Sequence, residues 1–168
     1  LPYSIATAAK LSAADAALLR KWRSRGIWPK DAGDELEIRG ICQFACAYEL
    51  TRLGVSAAAR IVFENEKVKR LIAEDVSARF ETGKKLQTAF ATVRRKYALP
   101  GGTAYDSVRA YRGNQTYLNN LERFRQVGAS FVVLNITGQV RFVHHRIGLL
   151  AAGQLTNTAA EEEEKSDD

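Results

Sequence analysis

The sequence predicts a mainly α-helical chain with one small α/β unit near its carboxyl end, and three observations carry that prediction. Apolar residues recur at helical spacing from Ile5 to about Tyr97. Glycine and proline interrupt the pattern at a few defined places, Gly26–Pro29, Gly54, Gly83 and Leu99–Thr103. One stretch, Ser130 to Ile136, is rich in β-branched and aromatic residues and reads as a strand.

Taken in order, the first helix buries Ile5, Ala8 and Ala9, with Leu11 turning the corner. A second, short helix starts at Ser12 or Asp15, whose side-chain oxygens suit the free amides of a first turn, and it buries Leu18, Leu19 and Trp22. Arg20, Lys21, Arg23 and Arg25 occupy the rest of that helix. Gly26-Ile-Trp-Pro29 stops it, because glycine permits a left-handed exit and proline cannot continue the ladder. Two short helices joined by a capped turn form a helix-turn-helix pattern. The polar run Lys30-Asp-Ala-Gly-Asp34 is long enough only for a loop or wing. Glu35 to Leu53 then reads as a helix with Ile38, Ile41, Phe44, Ala45 and Tyr48 on one stripe, ended by Gly54, and Ser56 is expected to cap a further helix beginning at Ala57.

Between Lys10 and Lys30 the basic residues are Lys10, Arg20, Lys21, Arg23, Arg25 and Lys30, opposed only by Asp15. Such a surface neutralises phosphates. With Ser12 and Asp15 as the polar side chains near the leading turn, these eight positions are the candidate DNA-binding residues. The small side chains of Ala13-Ala-Asp-Ala-Ala17 suit close approach and the reading of DNA shape more than bidentate hydrogen bonding.

The succession helix, turn, helix, wing, helix, helix resembles the MerR family of winged-helix regulators. The likeness covers about residues 1–62 and rests on Tyr3-Ser-Ile5, on Leu18-Leu-Arg-Lys-Trp-Arg-Ser-Arg-Gly-Ile-Trp-Pro29, and on Leu50-Thr-Arg-Leu-Gly-Val-Ser56. The resemblance implies that Arg20 contacts the DNA backbone, that Trp22 packs beneath it, and that the chain acts as a homodimer through a long helix after the DNA-binding domain. This sequence departs from the family in its wing, where Lys30-Asp-Ala-Gly-Asp-Glu35 is mostly acidic and the family's arginines are missing.

Beyond Ala57 the helix is expected to continue through Val62, Val68, Leu71, Ile72, Val76 and Phe80. Gly83 breaks it, and a second helix from Lys84 to Tyr97 would carry Leu86, Phe90, Val93 and Tyr97, so a long dimer helix and an intramolecular helix hairpin are both open. Leu99-Pro-Gly-Gly-Thr103 reads as a linker, and Tyr117 to Val127 as a helix. After the strand at 130–136, Gly138 could turn a hairpin into Gln139–His144, but Val140, Val143, Ile147 and Leu150 fit a helix capped by Thr137 equally well. The expected organisation is a winged helix-turn-helix over 1–56, a helical dimerisation or linker region over 57–98, a small α/β domain over 99–156, and an acidic tail over 157–168.

Composition bounds the function. With 46% hydrophobic and 26% charged residues the chain can bury a real core, and no apolar run approaches the ~20 residues of a membrane helix. The opening residues do not read as a secretory signal, which makes the cytoplasm the default. The net charge is +6, and Glu161 to Asp168 holds six acids and one lysine, so the rest of the chain stands at +11. Cys42 and Cys46, four apart on a helix, are expected to be buried and apolar in behaviour. His144 and His145, the only histidines, have no partner at ligand spacing. Without a glycine-rich phosphate loop, a nucleophile elbow or a metalloprotease helix, the sequence offers no vehicle for catalysis, no metal site and no cofactor site. The expectation is a dimeric, sequence-specific transcriptional regulator on double-stranded DNA, with a possible protein partner through the carboxyl-terminal region. The alternative is a phage or mobile-element DNA-binding assembly protein, resembling small terminase subunits or excisionases.

Overall fold

The computed structural model describes residues 3–29, 36–99, 102–115, 118, 119, 121, 122 and 130–155, with side chains excepted at 95–99 and 102–106. Mainly helical, it carries one three-stranded antiparallel sheet. Helices α1 (Ile5–Ser12) and α2 (Ala16–Ser24) are followed by α3 (Ile38–Arg52), α4 (Ala58–Glu64) and α5 (Glu66–Ser77), the last running into a π-helical turn at Ala78–Thr82. Strands β1 (Ala89–Leu99), β2 (Gly102–Arg112) and β3 (Phe131–Asn135) precede the closing helix α6 (Ile136–Ala151).

The helical framework is built around α3. Its residues 40–47 and 50 are all buried, Gln43 the one polar side chain among them, so it is enclosed on every side as a central helix is. Helices α1, α4, α5 and α6 pack against it, and so does β3. Cys42 and Cys46 lie on α3 with no exposed surface, as free thiols filling space. Burial pushes both thiols well above their ordinary range. The neutral thiol is the form the fold favours; its contribution is complete below the ordinary thiol range of ~8.5 and is lost as the pH climbs from there toward the raised value. Iodoacetamide at pH 8 should leave both cysteines of the native chain unmodified and alkylate both in denaturant. Rapid labelling of the native protein would contradict this packing.

The stretch expected to be one long helix is two. Asn65 ends α4, and its Oδ1 accepts hydrogen bonds from the Lys67 and Val68 amides, both at 3.1 Å, to start α5. Nor does Ser56 act as a cap, since Ala57 holds that place without a side-chain bond. Gly83 does end the run, at φ +65°, where an L side chain is strained. The helix expected from Lys84 to Tyr97 is in fact β1 over its second half. Ala89, Ala91 and Val93 alternate onto the core face, and β1 is the central strand, paired on one side with β2 and on the other with β3. Leu99 pairs with Gly102, so the expected linker joins the two strands of a hairpin.

The strand expected at 130–136 is β3, and the ambiguous segment after it is helical, capped by Asn135 rather than Thr137. Of the helix expected over Tyr117–Val127, residues 118, 119, 121 and 122 are helical and the others lie outside the described residues. One hydrophobic cluster runs from Ala8 to Val143, across the boundaries expected at 56 and 98. The stripe Val62, Val68, Leu71, Ile72 and Val76 is buried within the single chain.

A buried polar network ties the sheet to the helices. Asp75 on α5 accepts from Arg112 Nη1 at 2.7 Å and from Thr137 Oγ1 at 2.6 Å, while that hydroxyl accepts from the Ala89 amide at 2.8 Å. Arg112 also donates to the Gln87 carbonyl at 2.7 Å and to Glu74 at 3.0 Å. Elements α5, β1, β2 and α6 therefore meet at one carboxylate.

Candidate nucleic-acid interface

The turn between α1 and α2 is made by local chemistry. Ala13 takes a left-handed conformation at φ 54°, and Asp15 caps α2 by accepting from the Ala17 amide at 2.8 Å. Ser12 is buried: its hydroxyl donates to the Ala8 carbonyl at 2.8 Å and accepts from the Ala14 amide at 3.3 Å. It braces the turn from inside and cannot reach a base, which corrects the expectation that it reads DNA. Of the two cap candidates, Asp15 is the one used.

Helix α2 is anchored on one side only. Leu19 is fully buried and Trp22 nearly so, with Leu18 half-buried beside them. The Trp22 ring stacks on Phe44 at 6.4 Å and meets Phe63 edge-on at 5.8 Å, which joins α2 to α3 and α4 through aromatic contacts. The opposite side is cationic, with Arg20, Lys21, Arg23 and Arg25 exposed. The Arg23 guanidinium lies 5.8 Å from the Trp28 ring centroid, close enough for a cation–π contact that restrains the chain leaving α2.

Two of these cations border a groove of about 350 Å³. Leu18, Lys21, Trp22 and Arg25 form one wall, and Thr51 at the end of α3 with Val55 and Ser56 of the α3–α4 turn forms the other. Sequence reasoning found the cationic wall and missed the opposite one. Its signal was the turn Gly54-Val-Ser56, following a helix that packs beneath the basic one.

Lys10 is half-buried at the end of α1, where its carbonyl accepts from Arg146 Nε of α6 at 2.7 Å. Partial burial lowers the Arg146 guanidinium below its usual value. Lys30 and the rest of the expected wing, together with the acidic tail, lie outside the described residues. The backbone reaching that segment is paired, since Tyr3 and Leu36 exchange both amide–carbonyl bonds, at 2.9 and 3.1 Å. Both histidines of α6 are exposed, with His144 edge-on to Phe80 at 4.9 Å. Among the described residues no cluster of histidine, cysteine or carboxylate side chains could hold a metal ion, and no helix is long and apolar enough to cross a membrane.

No known family model matches the chain, and no curated protein is significantly similar to it.

Proposed function

We propose that this protein binds double-stranded DNA through α2, as a sequence-specific regulator of the winged-helix type that the MerR family exemplifies. The observation that carries the reading is α2 itself, a capped helix held from below by Leu19 and Trp22 with four cations on its open side. In this reading α2 enters the major groove, Arg20 and Arg23 meet phosphates, and Lys21 and Arg25 grip a strand backbone lying in the groove against Thr51 and Ser56. The paired backbone of Tyr3 and Leu36 supports it too, since such a bridge forms the base of a wing. Asp15, spent on the cap, positions the helix and contacts no base.

A homodimer belongs to this proposal, but through a surface other than the apolar stripe Val62, Val68, Leu71, Ile72 and Val76, because that stripe is covered by its own chain. The same observation favours a second reading, an assembly protein of phage or mobile-element type that places a protein complex on DNA. The helix break at Asn65 and the end at Gly83 leave no long rod for pairing with a twin.

Arg20→Ala should weaken binding to a mixed-sequence duplex several-fold to about a hundredfold, since one lost charged contact costs about 1 to 3 kcal/mol. Gel shift at moderate salt is the measurement, with Arg70→Ala on α5 as the control that leaves affinity unchanged. Equal affinity for Arg20→Ala and the unaltered chain would overturn the assignment.

A further inference from the structure

Apart from the groove beside α2, the described residues enclose a cavity of about 420 Å³ between the end of α5 and the start of α6. Arg79, Lys84, Lys85 and Arg141 line it, and none of the four has an ion-pair partner among the described residues. The one acid in its wall is Asp75, whose two oxygens are already taken by Arg112 and Thr137. Its charge is thus spent on the network behind the wall, and the cavity is left strongly cationic.

The sequence assembles this cluster by an unusual piece of backbone. Helix α5 widens into the π-helical turn Ala78–Thr82, a conformation that is rare and concentrated at functional sites. Gly83 then reverses the chain in a left-handed conformation, and the Thr82 hydroxyl holds the reversal by accepting from the Lys84 amide at 3.3 Å. As a result Lys84 and Lys85 come back over the same cavity as Arg79. Arg141 reaches it from α6, one turn after Thr137, where the positive end of a 16-residue helix adds to the field. Four like charges on one cavity repel one another, and an anion bound among them relieves that repulsion. Leu86 and Val140 add apolar surface to the wall. A volume of this size is in the range of small-molecule sites and exceeds what a lone phosphate fills.

We propose that this cavity binds a small phosphate-bearing molecule of nucleotide or sugar-phosphate size, its phosphate held by Arg79, Lys84, Lys85 and Arg141 and its body against Leu86 and Val140. None of the lining residues borders the groove beside α2, so the inference stands independently of DNA binding.

The test uses the full chain and inorganic pyrophosphate as probe, followed by isothermal titration and by melting temperature at constant ionic strength. Saturable binding and a concentration-dependent rise in melting temperature are expected. The double substitution Lys84→Ala with Arg141→Ala should weaken binding at least tenfold, because each removes a charge-assisted contact, while its melting temperature without pyrophosphate stays that of the parent. Lys67→Ala, an exposed lysine of α5 outside the cavity, should bind pyrophosphate normally. The proposal is overturned by an absence of saturable binding, or by an equal loss in Lys67→Ala, which would mark unspecific charge attraction. It is overturned as well if pyrophosphate fails to bind while the double variant loses affinity for a DNA duplex, since the cluster would then be a nucleic-acid surface. Failure of the α2 reading would show separately, in Arg20→Ala.

Discussion

Replacing Trp22 by alanine is expected to destabilise the protein by about 3 to 5 kcal/mol, the usual cost of truncating a buried aromatic. For a chain of this length that corresponds to a fall in melting temperature of roughly 6 to 20 °C. The indole is 7% exposed and sits where three helices meet, against Phe44 of α3 and Phe63 of α4, which themselves pack edge-on at 5.7 Å. Deleting it removes apolar burial and leaves a void that Phe44 and Phe63 cannot both collapse into. Trp28, which is only half-buried and has its ring centroid 4.8 Å from that of Phe44, should cost distinctly less when truncated. Calorimetry of the two variants makes the comparison, and a normal melting temperature for Trp22→Ala would mean that α2 is not anchored through this ring. Because Lys21 and Arg25 flank Trp22 along α2 and share its groove, DNA affinity of the variant should be read well below its melting point.

The second large effect is expected at Asp75. Its side chain is 5% exposed and that of Arg112 is 19% exposed, so the pair is withdrawn from bulk water. Asp75→Ala leaves the guanidinium largely without its counter-charge and removes the acceptor of the Thr137 hydroxyl, which should cost about 3 to 5 kcal/mol. Glu74 cannot compensate, because it is nearly half exposed and an exposed pair contributes at most about 1 kcal/mol. Removing both charges should be milder than removing one. Asp75→Ala combined with Arg112→Met is therefore expected to recover part of the loss, and denaturant unfolding of the two singles and the double supplies the coupling energy. Strictly additive costs would show that the two residues do not act as a unit, and that the sheet is held to the helices by apolar packing alone.

What the sequence determined by itself is the part whose causes are local. The pattern that puts Leu19 and Trp22 on one side of α2 and leaves Arg20, Lys21, Arg23 and Arg25 exposed, the cap narrowed to Ser12 or Asp15, and the stop at Gly83 each depend on residues within one or two turns, and each was legible there. The strand Phe131–Asn135 was legible too, from β-branched residues over a short run. Tertiary structure alone decided β1. Leu86, Phe90, Val93 and Tyr97 are spaced as on a helix face, yet the segment carrying the last three pairs with residues 102–112 and 131–135, and burial of alternate side chains between two neighbouring strands overrides the local pattern. It also decided the fate of the apolar stripe of α4 and α5, which found partners within the chain in place of a twin. The burial of Ser12 belongs here too, although the partners of its hydroxyl, the Ala8 carbonyl and the Ala14 amide, lie within four residues of it. The two features with the greatest chemical consequence join residues far apart in the chain. Arg112 lies 37 residues from Asp75 and Thr137 lies 62 away, while the cationic cavity draws on both ends of that span. Pairings of that reach follow from which surfaces the packed helices and sheet bring together, and no periodicity along the chain encodes them.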